Sequence, residues 1–353
     1  MIMAAGVGSR LMPLTMYVPK PMIPLANRPL MDNILHWLHG QQFTSLICNL
    51  HYQPQMISDY FGNGQDWGVS LEYSLENELL GTAGGVKNCE WFLNETFAVV
   101  SGDALTDIQL ARMMQYHKAR GALATIALKA VTDVEQFGIV VTNDNGRIER
   151  FQEKPRPEEA CSRLANTGIY IFEPEIFKYI PPRQFYDFGK QLFPHLVKIK
   201  APFFGMVVED YWCDIGSLRT YREAQVDAIA GRVAMSLPGQ VVTMPGGARV
   251  LLGADVKIGE KVKWQGVNVV GDGCVIADGT SIANSVLWNH TTVGRESRLE
   301  EAVLGNNCLL GNRVHIAAGA VINSGCEFPA GVKVPAQSRV FQSAGSTLQL
   351  EQG

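Results

Sequence analysis

The sequence predicts a mixed, mostly parallel α/β sheet with helices on both faces, followed by a solenoid of short parallel strands. Three observations predict it. A glycine loop stands directly behind a short apolar run, in Ala4 to Pro24, AAGVGSRLMPLTMYVPKPMIP. Apolar strands and amphipathic helices then alternate as far as Ala230. After a Pro/Gly-rich boundary the apolar period becomes six.

The first run, Met1 to Ala4, is a short strand, with five residues before Gly6. Asn27 caps a helix with Pro29 in its first turn, and Leu30, Met31, Ile34, Leu35 and Leu38 share one face. Leu46 to Leu50 reads as a buried strand, Gln55 to Phe61 as a short helix and Val69 to Ser74 as a strand. Glu76 to Gly85 reads as a loop before a helix that reaches Trp91. Phe97 to Ser101 is a continuous apolar strand closed by Gly102-Asp103, and Asp107 is placed to cap a helix Ile108 to His117. Strands follow at Leu123 to Leu128, Gly138 to Thr142 and Arg147 to Glu153, the last two flanking the hairpin signal Asn145-Gly146. Gly168 to Phe172 is a strand, Asp187 caps a helix through Val197, Phe203 to Val208 is a strand, and Trp212-Cys213-Asp214 precedes a helix Leu218 to Ala230. Pro238 and Pro245-Gly246-Gly247 mark a boundary.

Beyond it Leu252, Ile258, Trp264, Val270, Ile276, Ile282 and Trp288 are evenly spaced; the register slips to Val293 and Leu299, then to Leu304, Leu310, Ile316 and Ile322. Gly or Ala often follows, as in Ile258-Gly259, Val270-Gly271 and Ile316-Ala317. This hexapeptide repeat resembles the left-handed parallel β-helix, three hexads to a coil and about four coils in all. The expected domains are an α/β unit over 1–232, a linker over 233–250, the β-helix over 251–336 and a polar, fraying tail over 337–353.

Composition narrows the function. A chain of 353 residues with 46% hydrophobic residues and a net charge of −4 supports a large core and two domains, without the basic excess of a nucleic-acid binder. No apolar run approaches the ~20 residues of a membrane span, and no signal peptide opens the chain. The seven Cys lack a CxxC, so reduced thiols and a cytoplasmic location are expected.

Gly6-Val7-Gly8 lets backbone amides turn inward as a phosphate nest, and Arg10 closes it with a planar, permanently charged fork. Pro13, Pro19, Pro21 and Pro24 deny the segment a helix and hold Lys20 on a stiff support. The dinucleotide pattern fails because Leu11 stands where its third glycine belongs, and no Gly-Lys-Ser/Thr is present. A glycine turn before a proline-rich surface loop would explain GxG alone, but not GxGSRLxPLT followed by PKPMIP. That string resembles the signature of the sugar-1-phosphate nucleotidyltransferases, and the resemblance extends over the first 230 residues.

The resemblance implies an α/β, Rossmann-like nucleotidyltransferase sheet and a site. Ala5, Gly6, Gly8, Ser9 and Arg10 would hold the NTP triphosphate, with Lys20 serving its charge; Glu76, Gly81 and Thr82 lie in the stretch that reads the base. Gly138, Glu153, Lys154 and Asn166 match positions that contact the sugar phosphate. Asp103 and Asp214 follow strands; each has a plain alternative, a helix cap for the first and a turn aspartate for the second. We favour metal ligation for Asp103 because Asp107 is expected to be the cap, and the resemblance assigns both to Mg²⁺. Glu153-Lys154 by itself would read as a solvated strand end.

The implied reaction is NTP plus sugar 1-phosphate giving NDP-sugar and pyrophosphate, with Arg10, Lys20, Asp103 and Asp214 as its catalytic groups. GTP with mannose 1-phosphate is the first expectation; uridylyl or thymidylyl transfer to glucose 1-phosphate is the alternative. A non-catalytic sugar-nucleotide-binding subunit and an acyltransferase working from the repeat rank lower, because every charged site residue is present. His36 and His39 read as surface or core filling, and His290 and His315 as solenoid turn residues. The solenoid is expected to assemble the chain into a homo-oligomer.

Overall fold

A computed structural model describes residues 1–342 and 348–352. The chain divides into two compact units, Met1–Val7 with Ile34–Asp214, and Gly8–Asn33 with Ile215–Gly353. Six α-helices occur among the described residues: α1 (Leu30–Gly40), α2 (Pro54–Phe61), α3 (Gly81–Asn88), α4 (Leu110–Ala119), α5 (Phe193–Lys198) and α6 (Leu218–Ala230). No helix is long and apolar enough to cross a membrane.

The first unit is built on a nine-stranded mixed sheet. Ile2–Met3 lies between Ser45–Leu50 and Phe97–Ser101, parallel to both, and Ser70–Leu75 continues the parallel half. Leu164–Phe172 is the antiparallel hub, pairing with Phe97–Ser101, Ala124–Ala130 and Gly138–Thr142. Central strands buried on both faces read as unbroken apolar runs, which is why Phe97 to Val100 was legible. The core below them is aromatic, with Phe188 and Phe193 stacked at 5.2 Å and Phe97 and Phe177 at 5.5 Å.

Local expectations are corrected in several places. Asn27 does not cap α1. With Ala26 it takes left-handed φ values of 64° and 51° in a tight turn between Pro24–Leu25 and Arg28–Pro29, a conformation asparagine tolerates. Asp107 does not cap α4, whose N-cap is Gln109; its Oδ1 accepts from the Tyr211 backbone at 2.7 Å. Gly81 to Gly85, expected in a loop, opens α3. The segment 233–250 holds a hairpin, Gln240–Thr243 against Arg249–Leu252, turned by Gly246 and Gly247 at φ 89° and 85°.

The second unit contains the left-handed parallel β-helix. Two of its faces are five-stranded ladders; the third is an eight-stranded sheet whose end strands, Gln240–Thr243 and Gln349–Gln352, pair antiparallel and cover its edges. The register slips have a geometric meaning: Val250 pairs with Asn268, Val270 with Leu287, and Leu304 with Ile322, so coils of 18 residues give way to coils of 17 and back. The stack outruns four coils. Phe328, Val334 and Val340 continue the stripe, hidden in the sequence because proline follows Phe328 and Val334 where Gly or Ala was the cue. The tail expected to fray contributes Ser338–Phe341 and Gln349–Gln352 as strands; residues 343–347 and 353 lie outside the described residues.

Leu287, not Trp288, occupies the inner stripe. Trp288 is still 1% exposed, because its indole donates to the Tyr221 hydroxyl of α6 at 2.9 Å, and Tyr221 in turn donates to the Pro24 carbonyl. Corner positions carry small buried polar groups. Thr291 Oγ1 donates to the Gly305 carbonyl at 2.9 Å and Cys308 Sγ to the Asn323 carbonyl at 3.2 Å, satisfying turns that would otherwise bury bare acceptors. His290 is a turn residue at φ 59°, but His315 lies in a strand paired with Arg298 and Lys333.

Candidate active site

Strand pairing sets the acidic pair. Ala104–Thr106 and Trp212–Asp214 form a two-stranded antiparallel ladder with Asp214 opposite Ala104, so Asp103 and Asp214 come to the same end of it. Gly102 makes the turn possible: a Cβ there would stand 2.5 Å from the Met3 carbonyl oxygen, which accepts the Gly102 N–H at 2.8 Å. Ser101 Oγ donates to Asp103 Oδ1. Asp107, freed from capping, fixes the strand bearing Asp214 through Tyr211, and Thr106 Oγ1 donates to the Tyr211 carbonyl at 2.8 Å. The indole of Trp212 donates to the Thr167 carbonyl at 2.9 Å and meets Phe137 edge-on at 5.2 Å.

A second cluster surrounds Glu153. Its Oε2 would lie 3.1 Å from a Cβ on Gly138 and 2.4 Å from one on Gly189, so both glycines let backbone run against the carboxylate. Partial burial raises its pKa first, the Asp187 charge adds to that, and Lys154 and Lys190 oppose it. Lys154 takes a left-handed φ of 46° and donates its N–H to the Phe137 carbonyl at 3.1 Å, a turn that aims the chain out of the strand. Asn166 accepts from the Gly168 N–H and donates to the Tyr170 hydroxyl, both at 3.0 Å, across a break in strand register where Gly168 has φ 77°.

The stretch expected to face the base carries a network of side-chain hydrogen bonds. Glu76 is 4% exposed; Oε1 accepts from Asn49 Nδ2 at 2.7 Å and Oε2 from the Leu80 N–H at 3.0 Å. Its carboxylate holds the loop through both oxygens, just ahead of Gly81, which opens α3. Asn49 extends the network by accepting the Ala4 N–H at 3.0 Å. Thr82 Oγ1 donates to Asp187 Oδ2 at 3.0 Å and accepts the Phe188 N–H at 2.8 Å.

The glycine loop straddles the unit division: Ala5 and Gly6 belong to the first unit, and Gly8, Ser9, Arg10 and Lys20 to the second. Gly6, Ser9 and Arg10 are exposed. Gly8 has φ 71°, and a Cβ there would come within 3.0 Å of the Lys20 Cβ, so Gly8 and Lys20 are packed together. The Gly8 carbonyl accepts from Thr15 Oγ1 at 2.9 Å and from the Leu11 N–H at 3.0 Å, closing a tight 3₁₀ turn around Ser9–Leu11. Lys20 is 8% exposed. Asp107, Asp187 and Thr82's bond to it were not legible as site features, because each depends on a contact about a hundred residues away in sequence.

Comparisons with known proteins match both parts of the chain. The profile of the family described as Nucleotidyl transferase matches residues 1–230, and that of the GMPPB C-terminal domain matches 247–341. The chain is 36% identical to the UTP--glucose-1-phosphate uridylyltransferase of Synechocystis sp., over 91% of each chain. It is 30% identical to the mannose-1-phosphate guanylyltransferase of Mycobacterium tuberculosis, covering 83% of this chain and 80% of that protein. A solved structure of a putative glucose-1-phosphate thymidylyltransferase from Bacillus anthracis superposes with a TM-score of 0.59 at 25% identity, covering 64% of this chain and 93% of that one.

Proposed function

Since the chain belongs to the nucleotidyl transferase family and is a sugar-1-phosphate nucleotidyltransferase, we propose that it joins UTP and glucose 1-phosphate to give UDP-glucose and pyrophosphate. The observation that carries this choice is the 36% identity, over 91% of both chains, with a relative named for that reaction. It reverses the order that the motifs alone suggested. GTP with mannose 1-phosphate stays as the second reading, supported by the match of 247–341 to the GMPPB C-terminal domain and by relatives of 28–30% identity named for it.

A phosphate oxygen of the sugar phosphate attacks the α-phosphorus in line, the bond from that phosphorus to the bridging oxygen breaks, and pyrophosphate leaves. The nucleophile is already anionic, so no protein base is needed; the task of the chain is to bring two polyanions together. Backbone amides around Gly6 and Gly8 with Arg10 and Lys20 would take the triphosphate. Lys154 would take the sugar phosphate and Glu153 the sugar hydroxyls. The acidic pair fits a divalent cation. Its two residues share one end of a ladder. Such a two-carboxylate set leaves room for the phosphate and water oxygens that Mg²⁺ prefers. Asp103 and Asp214 would hold Mg²⁺, whose chemistry when bound is to draw negative charge off the phosphate oxygens.

The test is a product matrix of four NTPs against glucose, mannose and N-acetylglucosamine 1-phosphates with Mg²⁺. UDP-glucose as the fastest product supports the reading; GDP-mannose as the fastest replaces it with the second; no turnover by folded protein overturns both.

A further inference from the structure

One segment ties the two halves of this site together. Residues 184–190 cross the start of α3 and end beside Glu153. Tyr186 donates its N–H to the Leu80 carbonyl at 2.8 Å, and its own carbonyl accepts the Gly84 N–H at 2.9 Å. Contact is so close that a Cβ on Gly81 would stand 2.7 Å from the Tyr186 oxygen, and one on Gly84 2.9 Å from the Gln184 oxygen. The following residue, Asp187, binds in two directions. Oδ2 accepts from Thr82 Oγ1 on α3, while Oδ1 accepts the N–H groups of Gly189 and Lys190 at 2.9 and 3.1 Å. Gly189 is the residue whose missing side chain leaves room for the Glu153 carboxylate.

We propose that Asp187 is a positioning residue that links the α3 turn on the nucleotide side to Glu153 on the sugar side. It acts through Thr82 in one direction and through the Gly189 backbone in the other, so displacement of α3 is felt at the sugar carboxylate. The proposal rests on the reading of function above, in which α3 faces the base and Glu153 the sugar. A helix cap alone would account for Oδ1; it gives no reason for Oδ2 to be committed to a hydroxyl 105 residues away. Glu153 also reports on Asp187 electrically. The charged and titratable groups around it are Asp187, Lys154, Lys190 and Tyr170, and the Asp187 charge raises its pKa.

The experiment compares Asp187→Asn, Thr82→Val and the double variant with the native enzyme, using the substrate pair that the product matrix selects. Asn is as good a helix cap as Asp, so Asp187→Asn keeps the Gly189 and Lys190 bonds and alters the charge and the Thr82 link. Each single variant should lower kcat/KM for the sugar 1-phosphate by about tenfold, the effect of one charge-assisted hydrogen bond. Because they break the same link, the double variant should be no worse than the poorer single one. The acid limb of the pH profile should move to lower pH in Asp187→Asn, where Glu153 loses a neighbouring negative charge, and stay in place in Thr82→Val; titration of the sugar phosphate itself is common to all four enzymes. Additive losses with an unmoved acid limb would overturn the link and leave Asp187 a cap. Should Asp187→Asn melt early, Thr82→Val decides by itself: an unchanged KM for sugar 1-phosphate overturns the proposal. A matrix without turnover would instead overturn the functional reading and this inference with it.

Discussion

Glu76 and Glu153 are both glutamates at the ends of strands in the same sheet, and they are treated in opposite ways. Glu76 is sealed in, with each oxygen accepting a hydrogen bond, from Asn49 and from the Leu80 backbone. Glu153 keeps surface exposure although its carboxyl is partly desolvated against the backbone of Gly138 and Gly189; it has no hydrogen-bond partner among the described residues, and the Asp187 charge adds to the rise of its pKa. A carboxylate held on both oxygens fixes a loop; one without a hydrogen bond, kept where solvent can reach it, is open to a ligand. If that difference separates support from function, the same substitution at the two residues has opposite consequences.

The acidic pair should give the largest effect on this scale. Asp→Asn preserves shape but removes the charge that would hold a cation, so Asp103→Asn and Asp214→Asn should each lower kcat by about 10²-fold or more. Raised Mg²⁺ should restore part of the loss in steady-state assays. Full activity in either variant would place these residues with Glu76, as support.

The two glutamates test the comparison directly. Glu153→Gln should raise KM for sugar 1-phosphate by about tenfold with an unchanged melting temperature, because nothing in the fold depends on its carboxylate. Glu76→Gln turns one acceptor into a donor and leaves a buried N–H unmatched, a loss of about 1–3 kcal/mol of stability. Its KM values should move together and modestly, since its carboxylate acts through the loop it holds. Calorimetric melting beside steady-state kinetics separates the outcomes, and an Glu153→Gln enzyme that melts early with normal KM would reverse the assignment.

What was legible in the sequence follows the range of the interactions involved. Phe97 to Ser101 and its closing Gly102-Asp103 were readable because a doubly buried strand and the turn ending it are local patterns. The solenoid was readable because each coil repeats the same side-chain task, until prolines after Phe328 and Val334 disguised it. Asn27 was misread because a cap and a left-handed turn favour the same residue. Trp288 fitted the six-residue count but is buried by Tyr221, a partner 67 residues away. At the site, Asp103 and Asp214 were visible as strand-end acids, whereas their alignment depends on the pairing of Ala104–Thr106 with Trp212–Asp214, and the anchor Asp107–Tyr211 spans 104 residues. Asp187 was seen as a cap, its local role, and missed as a link, its distant one.

The smallest effect expected belongs to a third kind of buried group, a titratable one with no part in the site. His117 on α4 is 0% exposed; Nδ1 lies 2.8 Å from Thr125 Oγ1 and Nε2 3.1 Å from Glu173 Oε1. A carboxylate only accepts, so Nε2 carries the proton and Nδ1 accepts from the threonine hydroxyl in the neutral ring. Burial lowers the His117 pKa below its ordinary value despite the attraction of Glu173. The native state therefore takes up this proton later than the unfolded chain as pH falls. Above about pH 6.5 both are neutral and the residue contributes no pH dependence; below it the unfolded chain is protonated first, and stability declines until the native pKa is passed. Denaturant unfolding of the native protein and of His117→Gln, measured from pH 7.5 to about 5, should show the steeper decline in the native protein, by less than about 1.4 kcal/mol for each pH unit. Parallel curves would mean that His117 takes up its proton over the same pH range in the native and unfolded states.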